Sequence, residues 1–171
     1  MSEEPRALLL VGPMGSGKTT VMLELGRLLD ERGEPHALVD LDWLAWVALP
    51  AGAAVSVHDV LAANLASAAV TFRRAGVARL ILARHVTRAE ELDAIRAAIG
   101  HGVELAVVRL DAPAALLESR LRARDTGSEL EQHLAELESA TRPDFPHAVV
   151  ANDRRPPAQV AADVLKAAGW S

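Results

Sequence analysis

The most specific chemical pattern in this sequence lies at residues 12–19, which read Gly-Pro-Met-Gly-Ser-Gly-Lys-Thr. They match the spacing G-x-x-x-x-G-K-[ST], in which glycines let backbone N–H groups close around phosphate oxygens. An apolar run precedes the pattern and an amphipathic segment follows it, so a helix N-terminus adds its positive end. We therefore predict a phosphate-binding loop formed by Gly12, Met14, Gly15, Ser16, Gly17, Lys18, Thr19 and Thr20.

The side chains that close this loop indicate a nucleoside triphosphate. Of the 18 lysine and arginine residues, only Lys18 and Lys166 are lysine. The compact ammonium of a lysine at position 18 is suited to binding the β- and γ-phosphates, and an arginine does not readily replace it there. The Thr19 hydroxyl is expected to ligate Mg²⁺, and Thr20 to reach the α-phosphate. The predicted cofactors are ATP and Mg²⁺.

Two carboxylates follow the second predicted strand, at Asp40 and Asp42. Strand alternation would place both on one side, at the carboxyl edge of the sheet where ligands bind. One carboxylate would hold Mg²⁺ through water, and the other would orient or deprotonate an attacking hydroxyl. The alternative is a solvated pair of acids at the start of a loop.

The elements that must position these residues alternate along the chain. Predicted strands cover residues 7–11, 37–40, 79–83, 104–110 and 148–151. Predicted helices cover residues 18–31, 57–74, 87–99 and 113–124, a segment opened by Ser128, and residues 157–168. A capping box is expected at Thr87 with Glu90, and Ser128 with Glu131 is expected to open the next helix. Residues 43–55 are expected to be irregular. This order predicts a single α/β domain, residues 1–171, with a doubly wound, five-stranded parallel sheet.

Composition excludes several kinds of protein. The 171 residues are 50% hydrophobic and carry a formal net charge of −5, which disfavours the coating of nucleic acid. The sequence contains no cysteine, so thiol catalysis and cysteine-based zinc sites are excluded. Residues 1–6 do not resemble a signal peptide, and no apolar run is long enough for a bilayer. We expect a cytoplasmic protein, monomeric or homodimeric, that has no membrane or nucleic-acid partner.

Two common classes of nucleotide-binding protein fit poorly. A Ras-like GTPase needs an Asn-Lys-x-Asp guanine reader, whereas Lys166 lies in the segment Leu-Lys-Ala. An AAA-type ATPase or a helicase normally has an acid at the end of a later apolar strand. The third predicted strand is followed instead by Arg84 and His85, and the chain is too short for an AAA core with its lid.

Over nearly its whole length the chain resembles the P-loop small-molecule kinases, the group of nucleoside monophosphate, shikimate and adenylylsulfate kinases. The resemblance comprises the phosphate loop, the Asp-x-Asp after the second strand and an arginine-bearing segment after the fourth. It implies a kinase-type fold with a small helical lid at about residues 120–142. It also implies that Asp40 is the acid on the metal side and that Asp42 is the base that contacts the accepting hydroxyl.

The lid prediction has support from helical spacing. Arg120 and Arg124 lie four residues apart and so share a helix face, with Arg122 between them. Arginines that close over a transferring phosphoryl group stabilise its charge and exclude water. We expect Arg120 and Arg124 to be catalytic, and the resemblance places Asn152 and Arg155 beside the adenine. A solvated helix face and an ordinary turn are the alternatives.

Acceptor recognition is expected in residues 43–64 and around His85. Trp43 and Trp46 have the spacing of one helix face, where they would stack on a flat substrate or simply cover the core. Arg84, His85 and Arg88 are candidates for binding an anionic group of the substrate, and His133 is an open case. The Arg-Asp-Leu-Gly-Phe segment of adenylylsulfate kinases is absent, and the nucleotide-binding insert of monophosphate kinases is reduced.

The sequence therefore predicts an ATP- and Mg²⁺-dependent phosphotransferase that acts on a small-molecule acceptor, through a hydroxyl. Lys18, Asp42, Arg120 and Arg124 are the predicted catalytic residues, and Thr19 with Asp40 the predicted metal site. A nucleotide-binding regulatory or resistance module without a specific acceptor is the alternative from another class. A nucleoside or nucleotide kinase is the alternative among enzymes.

Overall fold

The computed structural model describes residues 4–170 and contains one parallel sheet of five strands. The strands are β1 (Arg6–Val11), β2 (His36–Asp40), β3 (Arg79–Ala83), β4 (Glu104–Asp111) and β5 (Ala148–Ala151). They lie in the order β2-β3-β1-β4-β5, and every neighbouring pair is parallel. The predicted doubly wound α/β sheet is confirmed.

Strand β1 lies at the centre of the sheet and is buried on both faces. Ala7, Leu9 and Val11 contribute to the core on one face, and Leu8 and Leu10 contribute to the core on the other. All five side chains are fully buried. This double burial explains why β1 is a continuous apolar run and does not alternate with polar residues.

Helices cover both faces of the sheet. They are α1 (Lys18–Glu31), α2 (Leu41–Leu44), α3 (Val57–Arg74), α4 (Ala89–Ile99), α5 (Ala114–Arg124), α6 (Gly127–Ser139) and α7 (Pro157–Ala167). Buried residues of α3 and α4 pack on one face, and those of α1 and α7 on the other. The loops after the strands therefore meet at the carboxyl edge, between the two layers of helices.

The predicted capping box at Thr87 and the predicted helix start at Ser128 are both wrong. Helix α4 begins at Ala89, with Arg88 at the N-cap, because the Thr87 carbonyl accepts a hydrogen bond from the Asp144 backbone N–H at 3.0 Å. Helix α6 begins at Gly127, so Ser128 lies inside its first turn. In residues 4–170 neither N-cap side chain makes a capping hydrogen bond.

No helix within residues 4–170 is long and apolar enough to cross a membrane. Residues 1–3 and 171 lie outside the described part of the chain. The expectation about a leader at residues 1–6 therefore falls partly outside it.

Candidate active site

The loop between β1 and α1 has the backbone that its glycines predict. Gly17 has φ 88°, and a Cβ at this position would lie 2.5 Å from the Asn152 Nδ2 atom. Gly12 has φ 149°, and a Cβ there would lie 2.8 Å from the Leu110 carbonyl oxygen. The loop therefore requires glycine at both positions, for its conformation and for the closeness of its neighbours.

Lys18 begins α1 and folds back over the loop. Its Nζ donates to the carbonyl oxygens of Gly12 and Pro13 at 2.9 and 3.1 Å. Burial lowers the pKa of Lys18 from its ordinary value of 10.5 to about 8, against the opposing effect of Asp42 and Asp40. The ammonium is thus poorly solvated, and an anion that enters the loop would stabilise its charged form.

Asp40 is the last residue of β2 and the N-cap of α2. Its Oδ1 accepts hydrogen bonds from the backbone N–H groups of Asp42 and Trp43 at 3.0 and 3.4 Å. Its other oxygen, Oδ2, lies 3.5 Å from the Thr19 hydroxyl. The cap fixes the carboxylate, and the free oxygen forms a pair of hard oxygen donors with Thr19, as Mg²⁺ prefers.

Asp42 lies on helix α2 and not on a strand, so the prediction from strand alternation is wrong in this respect. The chain leaves β2 at Asp40 because that side chain caps a helical turn at once. Asp42 then forms a salt bridge with Arg84, which follows β3, at 2.9 Å. Burial raises the pKa of Asp42, and the Arg84 guanidinium opposes that shift. Arg84 also donates to Glu91 at 2.7 Å, so it connects two carboxylates.

The two predicted lid arginines lie at the same cleft but have different partners. Arg120 donates to the Gly15 and Asn152 carbonyl oxygens at 3.2 and 3.1 Å, and so ties α5 to the phosphate loop. Arg124 donates from Nε and Nη2 to both oxygens of Asp125, at 2.5 and 2.8 Å. Arg122, between them, forms an exposed pair with Glu118 at 2.7 Å.

Asp125 is a buried partner that the sequence analysis did not single out. Its side chain is 4% exposed and also contacts the His133 Nδ1 atom at 2.7 Å. The hydrogen bonds from Arg124 are the main cause that lowers the pKa of Asp125 to about 2. Asp125, Glu129 and His133 bring donor atoms within 4.8 Å of one another, but Asp125 is already bound by Arg124. The sequence signal that could have identified Asp125 is its position next to Arg124 and eight residues before His133.

Asn152 and Arg155 follow β5 and reach the same cleft. Asn152 is buried, and its Nδ2 donates to the Ser16 carbonyl oxygen at 2.6 Å. Arg155 donates to the Ala151 carbonyl oxygen and to Asp163. The loop after β5 is therefore attached directly to the phosphate loop.

Trp43 and Trp46 stack on each other, with ring centroids 5.1 Å apart and planes inclined by 17°. Trp43 lines the cleft beside Asp42, whereas Trp46 lies outside it. His85 does not face the cleft in the described part of the chain. Its Nδ1 contacts the Gly12 carbonyl oxygen at 3.0 Å, and the residue lines a separate groove with Pro13 and Met14.

These side chains enclose a cleft of about 460 Å³ at the carboxyl edge of the sheet. The predicted residues that line it are Met14, Gly15, Gly17, Lys18, Thr19, Thr20, Asp40, Asp42, Trp43, Arg120, Arg124, Asn152 and Arg155. Gly12 and Ser16 belong to the loop but do not line the cleft, and the Ser16 backbone N–H donates to the Pro13 carbonyl oxygen. Cationic groups thus face the loop end of the cleft, and Asp40 and Asp42 face the end of β2.

The fold is that of the P-loop small-molecule kinases. No family model and no curated protein matches the chain, but solved structures do. A sugar kinase from Janibacter sp. HTCC2649 is 24% identical, with a TM-score of 0.62 over 98% of this chain and 96% of that one. The APS kinase of Mycobacterium tuberculosis, in complex with AMPPNP and APS, is 22% identical, with a TM-score of 0.62 over 95% and 96%. The tunicamycin resistance protein of Deinococcus radiodurans is 18% identical, with a TM-score of 0.62 over 98% and 97%.

Proposed function

We propose that this protein is an ATP- and Mg²⁺-dependent phosphotransferase that acts on a hydroxyl group of a small-molecule acceptor. The observation that carries the proposal is the composition of one cleft. A glycine-rich loop with Lys18, two lid arginines and the Asp42 carboxylate line the same 460 Å³. The kinases among the structural neighbours support the same class of reaction.

The loop end of the cleft supplies the groups that phosphoryl transfer requires. Backbone N–H groups of the loop and the Lys18 ammonium bind the phosphates, and Arg120 and Arg124 stabilise charge on the transferring group. Thr19 and Asp40 would hold Mg²⁺, which neutralises phosphate charge when it is bound. Asn152 and Arg155 are proposed to lie beside the nucleotide base.

Asp42 is the proposed base. In the reaction the acceptor oxygen forms a bond to the γ-phosphorus, the bond from that phosphorus to the bridging oxygen breaks, and ADP leaves. The hydroxyl proton moves to the Asp42 carboxylate. Because burial raises the pKa of Asp42, this carboxylate accepts a proton more readily than a solvated one. The Arg84 guanidinium keeps it oriented.

The residues can be tested by measuring acceptor-dependent ADP release over a panel of hydroxyl compounds. Lys18→Ala should abolish turnover, and Asp42→Asn should lower kcat by about 100-fold or more with little change in ATP affinity. Lys166→Ala and Asp93→Asn are matched controls, because both residues are exposed and lie away from the cleft. Turnover by Lys18→Ala near the wild-type rate would contradict the proposal.

A second candidate is a nucleotide-binding module without a specific acceptor. The observation that favours it is the Arg84 salt bridge, which occupies the Asp42 carboxylate in this structure. The resistance protein among the structural neighbours is consistent with such a role. This candidate predicts ATP binding that depends on Lys18, but no acceptor-dependent ADP release.

A further inference from the structure

The surface beside Asp42 carries no charge over a long segment. Residues 43–57 contain no acidic, basic or histidine side chain. They include Trp43 and Trp46, which are 70% and 78% exposed. Exposed apolar side chains gathered in one place commonly mark a binding surface, whereas scattered ones do not. What this surface binds follows from the charges around it and from the rings themselves.

The cations near this surface are paired, lie outside the cleft or belong to its loop end. Arg84 is held between Asp42 and Glu91, and its side chain is only 14% exposed. Arg88 and His85 do not line the cleft: Arg88 lines a groove between α3 and α4, and His85 contacts the Gly12 carbonyl oxygen. Lys18, Arg120 and Arg124 also line the cleft, but they lie at its loop end, where they are assigned to the phosphates. An acceptor with a carboxylate, sulfate or phosphate would therefore bring a second negative charge to the Asp42 carboxylate, whose partner Arg84 is already shared with Glu91. The electrostatics of this side favour an uncharged acceptor.

The aromatic surface is fixed in place. Trp43 belongs to α2, whose first turn is capped by Asp40. The Leu44 carbonyl oxygen accepts a hydrogen bond from the Asn64 side chain of α3 at 3.0 Å. Trp46 stacks on Trp43, so it supports one face of that ring and leaves the opposite face of Trp43 available to a ligand. Such a platform suits a flat ring, aromatic or pyranose, that packs face to face.

From these observations we propose that the acceptor is an uncharged alcohol with a flat apolar ring face. In the platform formed by Trp43 and Trp46, the ligand ring packs against the face of Trp43 that Trp46 does not cover, and the hydroxyl reaches Asp42. The proposal rests on the proposed phosphotransferase function and names the class of its acceptor. Acids and phosphorylated compounds are excluded as good acceptors.

The test uses four probe compounds with the full chain, a non-hydrolysable ATP analogue and Mg²⁺. Phenyl β-D-glucopyranoside and phenyl β-D-glucuronide have the same rings and differ only at C6, where a carboxylate replaces the hydroxymethyl group. Methyl β-D-glucopyranoside keeps only the sugar ring, and sorbitol has no ring. Binding is followed by tryptophan fluorescence in a Trp170→Phe background, which leaves only the platform pair, and turnover is followed by ADP release with ATP. Trp43→Ala and Trp46→Ala are the variants, and both positions are exposed enough to tolerate them.

We expect the neutral phenyl glucoside to bind at least tenfold more tightly than the glucuronide, and Trp43→Ala to weaken that binding about tenfold. If the methyl glucoside also binds tightly, the sugar ring is the group that packs on the platform. If it does not bind, the phenyl ring is that group. Equal or tighter binding of the glucuronide, unchanged binding in both tryptophan variants, or no binding of any ring compound would overturn the proposal. So would a dimer in sedimentation that Trp46→Ala disperses, because the surface would then belong to a second copy.

The same experiment separates this proposal from the proposed function. Lys18-dependent phosphorylation of the glucuronide or sorbitol in preference to the neutral ring compounds would retain the phosphotransferase and overturn the acceptor class. Binding of the neutral ring compounds that the tryptophan variants lose, with no ADP release, would retain the platform and overturn the phosphotransferase.

Discussion

Burial of Lys18 makes a prediction about the pH dependence of stability. The unfolded chain keeps this lysine protonated to about pH 10.5, whereas in the folded protein its pKa is about 8. Each unit of difference in pKa corresponds to about 1.4 kcal/mol. While Lys18 is charged in both the folded and the unfolded protein, this difference in pKa therefore destabilises the folded protein by about 3 kcal/mol. The phosphate loop therefore holds its lysine at a cost to the ligand-free protein.

The sign of the effect follows from proton binding. Below pH 8 both states are protonated, and burial of the charge disfavours the folded state in full. Between pH 8 and 10.5 the folded state releases the proton while the unfolded state keeps it, so the free energy of unfolding rises with pH. Lys18→Met removes the charge and should be more stable than the wild type at pH 7. We expect a difference of about 1 to 3 kcal/mol, because the variant also loses the hydrogen bonds to Gly12 and Pro13.

Urea unfolding of the wild type and of Lys18→Met at pH 7, 8, 9 and 10 measures this effect. The difference between the two proteins isolates Lys18, since other titrating groups contribute equally to both. The advantage of the variant should decline steadily above pH 8. Lys166→Met, at the only other lysine, should show no such decline, because Lys166 is exposed. A difference that stays constant from pH 7 to 10 would refute the desolvation of Lys18.

The remaining predictions concern the loop and the lid. Gly17→Ala should lower the free energy of unfolding by about 1 to 3 kcal/mol, because the φ of this residue is 88° and a Cβ would press on Asn152. An unchanged thermal midpoint would contradict this prediction. Asp125→Asn should loosen Arg124 and lower kcat about tenfold with little change in the KM for ATP. Arg122→Ala, at an exposed pair on the same helix, should leave both constants unchanged, and an equal loss there would show a general effect on α5.

Local patterns predicted the sheet and the loop well. The apolar run of β1 and the glycine spacing after it are consequences of burial and backbone conformation, which the sequence expresses directly. The position of Asp42 was harder to predict. Side chains alternate between the two faces only within a strand, and β2 ends before this residue. Asp40 ends β2 because its side chain caps α2 by accepting hydrogen bonds from the backbone N–H groups of Asp42 and Trp43. Aspartate is a preferred N-cap residue, and that preference was the signal in the sequence.

Contacts between distant segments were not predictable from one sequence. The Arg84 salt bridge to Asp42 depends on β3 lying beside β2, and strand order has no local signature. The capping box at Thr87 fails for a similar reason, because a backbone hydrogen bond from Asp144 holds the residue outside the helix. His85 had the right place in the chain for a substrate contact, but its ring contacts the Gly12 carbonyl oxygen and does not line the cleft.

The central claim concerns the fate of the γ-phosphoryl group, and ³¹P NMR of the products measures it directly. With ATP, Mg²⁺ and a neutral ring alcohol, the wild type should form ADP and a phosphate ester in equal amounts. Lys18→Ala should form neither product, and Lys166→Ala should form both. Formation of ADP with an equal amount of inorganic phosphate, or no consumption of ATP with any hydroxyl acceptor, would contradict the phosphotransferase.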